Sequence, residues 1–226
     1  MTSPLSPTVI DVRKLDDVQL RQLVIRLVEA ELALAGRPLS GVTAGGDQNA
    51  ADGGLDLRVV SEGPGLDFLP AFPVGIQVKA EAMPPAKIET EIRLGGRDRP
   101  APAELATAGG TYIIASGRDS CSDSMVQSRL ERMRASVQTL EHAERLKLDF
   151  YDADRLARWA SRHPGVSAWL LRMAGRPTGG WKGWGAWSSP NTPTGQAYLE
   201  DTTARAHFEV QGEGRTASRR FRRPHR

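Results

Sequence analysis

Three side chains in two short segments have the types and spacing for metal-assisted chemistry. They are Asp56 in LDLRVV and the pair Gln77-x-Lys79 in VGIQVKA. Both segments alternate apolar and polar residues, the period of a strand with one buried face. In the first, Leu55, Leu57 and Val59 share one face, and Asp56 and Arg58 the other. In the second, Ile76 and Val78 face the core while Gln77 and Lys79 face away from it. If the two strands are neighbours, a carboxylate, an amide oxygen and an ammonium surround one point. Hard oxygen donors suit Mg²⁺, with Mn²⁺ as the other candidate ion; Mg²⁺ keeps waters and accepts phosphate oxygens. The lysine would orient a water or stabilise charge on the phosphate. Metal polarisation with an activated water is a route to phosphodiester hydrolysis.

A fourth candidate, Glu31, comes from the first periodic segment, residues 16–34. Leu20, Val24, Leu27 and Leu34 recur at helical spacing, and Glu31 falls on the same line, with Glu29 on the opposite side. A carboxylate on a buried face needs a partner. Two are open to it: the metal held by Asp56 and Gln77, or an ion pair with Lys79 or Arg58. The expectation is that Glu31 points at Lys79 in the metal-free protein and shares the metal when Mg²⁺ binds. Lys87 and Arg93, just after the Gln-x-Lys strand, either touch phosphates or form a solvated helix face.

The elements that must position these residues read as follows. GVTAGGDQNAADGG, residues 41–54, is a loop, in which Asp52 shapes the turn before Gly53 and Gly54, and Asp47 and Asn49 are structural. PPAKIETEIR is a short helix opened by prolines, and GGRDRPAPAE a turn-rich connector. GTYIIAS is apolar enough for a central strand. Residues 122–146 are expected to be the longest helix, capped by Ser122 or Asp123, with Val126, Leu130, Met133, Val137 and Leu140 buried. LKLDFYD is a further strand, followed by helices over 153–161 and 166–173. Strands interleaved with helices argue an α/β domain. All five Trp lie between 159 and 187, and GGWKGWGAWSSP is either a lid sealing the domain edge or a base-stacking platform.

GGDQNAADGGLDLRV followed by GIQVKAE resembles the D…QxK form of the PD-(D/E)XK nuclease motif, in particular the Mrr-like type IV restriction endonuclease group. The resemblance implies a restriction-endonuclease-like fold, a central mixed β-sheet flanked by helices. It implies Asp56 as metal-binding Asp, Gln77 in place of the usual Glu, Lys79 as catalytic Lys and a first-helix Glu, for which Glu31 is the candidate. AMPPAKIETEI, GGTYIIAS, LDFYDADRLARWASRHPGV and GWKGWGAWS are similar to the N-terminal nuclease module of bacterial antiviral NTPases of the STAND type. The expected activity is Mg²⁺-dependent endonucleolytic cleavage of DNA in antiphage defence, beside a STAND-type NTPase or sensor protein and with room for homo-oligomerisation. RNA is not separable from DNA as substrate at this level. The competing expectation is a catalytically silent nucleic-acid-binding or assembly module. No GxxxxGK[ST] phosphate loop occurs, so the chain reads as a stand-alone effector or a piece of a larger protein.

Composition bounds the rest. The chain has 226 residues, 39% hydrophobic and 25% charged, which excludes collagen, coiled coil and disorder throughout. Its net charge is +3, but residues 215–226 carry six Arg and no acid, so residues 1–214 stand at −3. Any nucleic-acid site in the body is therefore a local patch. One Cys excludes a disulfide framework, no His is placed to activate it, and the four His lack metal-ligand spacing. No signal peptide or membrane-length apolar run is present, so a cytoplasmic protein without membrane contact is expected. The expected organisation is an N-terminal segment 1–15, a nuclease domain 16–200 and a disordered Arg-rich tail 201–226.

Overall fold

A computed structural model describes residues 6–45, 55–94 and 97–176. All of them belong to the unit Met1–Trp181, one of two into which the chain divides. The loop residues Asp47, Asn49 and Asp52, the segment with Trp181, Trp184 and Trp187, and the Arg-rich tail lie outside the described residues.

Seven strands and seven α-helices are described. In chain order they are α1 (Val9–Arg13), α2 (Asp17–Leu34), β1 (Val42–Ala44), β2 (Leu57–Val59), β3 (Val74–Lys79), α3 (Pro85–Ile92), β4 (Arg93–Leu94), β5 (Arg97–Asp98), α4 (Pro100–Ala108), β6 (Thr111–Ser116), α5 (Asp123–Val137), β7 (Lys147–Tyr151), α6 (Ala153–Ser161) and α7 (Pro164–Met173). Five strands form one sheet in the order β1-β2-β3-β6-β7, with β4 and β5 a separate pair. β1, β2 and β3 pair antiparallel, whereas β3, β6 and β7 pair parallel. The sheet is therefore mixed, with helices on both faces, and the Asp56 and Lys79 strands are neighbours as expected.

Side-chain alternation sorts the core into two halves. Ile76, Val78, Ile113 and Ala115 face α2, α6 and α7 and join Leu20, Leu23, Val24, Leu27, Leu156 and Trp159. Tyr112, Ile114 and Phe150 face the other way, packing with Ile88 and Ile92 of α3, Leu105 of α4 and Met133 of α5. The central strand β6 is buried at all six positions, so its run is apolar or uncharged throughout. Gly75 is required by close approach: a Cβ there would meet Leu105 Cδ1 at 2.6 Å and Leu55 at 2.8 Å.

Several expectations change. Leu55 does not share a face with Leu57 and Val59. The strand begins only at Leu57, the chain bends at Asp56, and Leu55 packs against the α3–α5 half of the core. The longest described helix is α2, with Asp16 as a capping box: its side chain accepts from Gln19 N–H. Leu34 is not on its buried face but 68% exposed. The helix expected over 122–146 ends at Val137, and His142, with φ +62°, turns the chain before β7. Arg129 is buried on that helix because Asp119 pairs with it at 2.7 Å, while Leu130 is only partly buried. The connector GGRDRPAPAE holds β5 and most of the first two turns of α4, where Pro100 at the helix start costs no hydrogen bond.

Candidate active site

The site lies at the end of the sheet where β2 starts and β3, its neighbour, ends. Gln77 and Lys79 project from the face covered by α3. Glu91, in the last turn of α3, meets them both. Its Oε2 accepts from Gln77 Nε2 at 2.6 Å and from Lys79 Nζ at 2.8 Å. The other end of the Gln77 amide is also held: Tyr112 OH donates to Gln77 Oε1 at 2.5 Å. Burial pushes the Tyr112 phenol well above its ordinary value, with the Glu91 and Asp56 charges acting the same way and Arg99 opposing. The phenol therefore keeps its proton and acts as the donor in this bond.

Asp56 sits at the adjoining backbone position. Its Oδ2 accepts from the N–H of Val78, the residue between Gln77 and Lys79, at 2.8 Å. Its Oδ1 pairs with Arg21 Nε of α2 at 3.0 Å, and Arg21 also pairs with Asp17 at 2.9 Å. The Asp56 and Lys79 side chains are 23% and 24% exposed, so both are anchored from within and reachable from solvent.

Glu31 is not part of this arrangement, and the expected contact with Lys79 is corrected. It is buried, as its place on the apolar line requires. Its Oε2 instead accepts from Trp159 Nε1–H at 2.9 Å and lies 3.0 Å from His163 Nε2, with Arg162 Nη2 4.0 Å from Oε1. The reason is strand parity. α2 covers the Ile76 and Val78 face, and Gln77 and Lys79 leave from the opposite one. The alternative ion pair with Arg58 is not formed either, because Arg58 pairs with Glu104 at 2.7 Å. His163, the N-cap residue of α7, is thereby a buried partner of Glu31.

Lys87 and Arg93 form local ion pairs, Lys87 with Glu81 at 2.5 Å and Arg93 with Asp98 at 3.1 Å. The Lys87 side chain is half exposed, which fits the solvated-face reading. Glu91 is the residue that reading the sequence missed. Its signal was present: it lies one residue before the buried Ile92, and three after the buried Ile88, on a helix that directly follows the Gln-x-Lys strand.

The donor set fits a hard divalent cation in part. Mg²⁺ needs one or two carboxylates and retains water, and Asp56 and Glu91 supply carboxylates. Gln77 as it stands offers its N–H to Glu91 and its oxygen to Tyr112, so it serves as an oxygen ligand only after its amide turns. Among the described residues, no group of three or more His, Cys, Asp or Glu forms a ready-made metal centre.

Comparison of the chain with family models, with curated proteins and with solved structures gives no match. Among the described residues, no helix is long and apolar enough to cross a membrane. The local geometry therefore carries the functional argument.

Proposed function

We propose that the protein is a Mg²⁺-dependent endonuclease of restriction-endonuclease-like fold that hydrolyses DNA phosphodiester bonds, acting in antiphage defence. One observation carries the reading: Asp56, which resembles the Asp of a nuclease motif, is hydrogen-bonded to the backbone between Gln77 and Lys79, and those two side chains meet a further carboxylate, Glu91. Asp56 and Glu91 would hold the metal, joined by Gln77 once its amide turns. The metal would supply charge neutralisation at the phosphate and a more acidic bound water. Lys79, released from Glu91, is placed to stabilise phosphate charge or orient the attacking water. Arg21 holds Asp56 in place from α2.

A second reading is favoured by the ion pairs themselves. Both carboxylates already carry a cationic partner, Arg21 on Asp56 and Lys79 on Glu91. A site locked in this way would bind nucleic acid or assemble with a partner without cutting. Incubation with plasmid, linear DNA and RNA separates the two, in Mg²⁺ and in EDTA. The nuclease reading expects Mg²⁺-dependent nicking or cutting that Asp56→Asn abolishes; no cleavage of any substrate would overturn it.

A further inference from the structure

Arg99 is an arginine at the site whose bonding is incomplete. It follows β5 and precedes α4, and its backbone N–H donates to Ile92 O at 3.1 Å, which pins it beside the end of α3. The guanidinium is thereby held next to Glu91 but outside hydrogen-bond range, with Nη2 3.9 Å from Oε2. That oxygen is already taken by Gln77 and Lys79. Arg99 Nε is buried and has no hydrogen-bond partner.

The other arginines with a buried nitrogen lacking a hydrogen bond are compensated nearby. Arg21 and Arg93 are ion-paired at 3.0 and 3.1 Å. Arg37 donates to Pro64 O at 2.5 Å, and Arg129 pairs with Asp119 at 2.7 Å. Among these five described arginines, Arg99 is the one whose nearest ion-pair partner, Glu91 at 3.9 Å, lies beyond hydrogen-bond range. A guanidinium offers five N–H donors in a fixed fork; in Arg99 the Nε is cut off from water without an acceptor, which is unfavourable, while the side chain as a whole is 25% exposed and so open to a ligand from solvent. Lys79 and Arg99 also face the single charge of Glu91, which leaves one positive charge over. A missing group with two or more anionic oxygens would meet both needs.

We propose that Arg99 binds the non-bridging oxygens of a nucleic-acid phosphate seated between it and Lys79. The fork matches two phosphate oxygens at once, which a lysine does not. The assignment rests on the nucleic-acid reading above and adds a phosphate-contacting residue that does not belong to the Asp-Gln-Lys pattern. A contact to the backbone is blind to base sequence.

The test uses the full chain carrying Asp56→Asn, in EDTA, with a fluorescent DNA duplex read by anisotropy across a salt series. Adding Arg99→Gln should weaken binding roughly fivefold on unrelated sequences alike and lower the slope of log K against log salt by about one. Arg99→Lys, which keeps the charge but not the fork, should fall between. Arg97→Gln, an exposed residue on the same hairpin, should change binding less than Arg99→Gln. Melting curves identify any variant that fails to fold, and Arg99→Lys then decides. Binding by a folded Arg99 variant equal to the Asp56→Asn parent, an equal loss in Arg97→Gln, or no binding by the parent overturns the assignment. Cleavage by the unsubstituted protein in Mg²⁺ is scored separately, so a failed phosphate contact and a failed nuclease reading give different results.

Discussion

Glu31 and Glu91 lie on opposite sides of the same sheet, and their surroundings differ in kind. Glu31 is 5% exposed and is held by ring nitrogens of Trp159 and His163, delivered by α6 and α7. Glu91 is 19% exposed and is held by the ends of two polar side chains, Gln77 and Lys79. A carboxylate whose partners are packed core groups stabilises the fold, since exchanging any of them would leave a buried donor unsatisfied. A carboxylate whose partners sit at a solvent-reachable edge can trade them for a ligand. Burial of an acid in a helix pattern thus does not mark a site; the freedom of its partners does.

The sharpest way to break this contrast is on the Glu91 side. Asp56→Asn keeps an acceptor for the Val78 N–H but removes the charge that pairs with Arg21, and should cut cleavage by on the order of 10³ with only a small drop in melting temperature, since Arg21 keeps Asp17. Glu91→Gln should lower cleavage by on the order of 10² and weaken Mg²⁺ binding, measured by titrating the metal in the cleavage assay. Full activity in Glu91→Gln would return Glu91 to a structural role. On the other side of the sheet, Glu31→Ala should leave the Mg²⁺ dependence untouched. It should destabilise the fold by about 3 kcal/mol, read as a shift of the chemical-denaturation midpoint, because Trp159 and His163 lose their acceptor inside the core. A Glu31 variant that keeps its stability but changes the metal titration would reverse the comparison.

Two smaller effects sharpen it. Tyr112→Phe removes the donor that fixes Gln77, at a cost of about 1 kcal/mol in stability. Its cleavage should fall by less than tenfold, while its Mg²⁺ requirement shifts, because the Gln77 amide is then free to turn. Cys121 gives the smallest effect. Burial pushes its thiol up, with Arg129 opposing and Asp119, Asp152 and Asp154 adding to the rise. It should therefore react with iodoacetamide at pH 8 more slowly than free cysteine, and Cys121→Ser should cut as the unsubstituted protein does.

The sequence pattern put Gln77 and Lys79 on one face of β3 because period-two alternation is written in its residue types; that β3 pairs with β2 was an expectation alternation alone does not supply. It also placed the central strand, because the six residues of β6 carry no charge, and the helices that follow β7. It misled at Glu31, because a helix pattern shows that a residue is buried but not which face of the sheet buries it. It misled at Leu55, where alternation was extended one residue beyond the strand, through the bend at Asp56. It passed over α4, whose prolines look like a loop until they are seen in the first turn. Glu91 and Arg99 escaped because their partnership is made in space: β4 pairs with β5, and the Arg99 guanidinium comes to 3.9 Å from a carboxylate eight residues earlier.

The alternation in β3 also governs which length changes the protein tolerates. Inserting or deleting one residue within Val74–Lys79 exchanges the two sets of side chains, sending Gln77 and Lys79 into the leucines of α2 and Ile76 into the space beside Glu91. The excursion between β2 and β3 carries no such parity, since its length does not decide which way a β3 side chain points. Homologues of this chain should therefore vary in length between residues 60 and 73 and keep β3 free of gaps. An insertion scan across residues 55–80 should show activity surviving in that link and vanishing within β3.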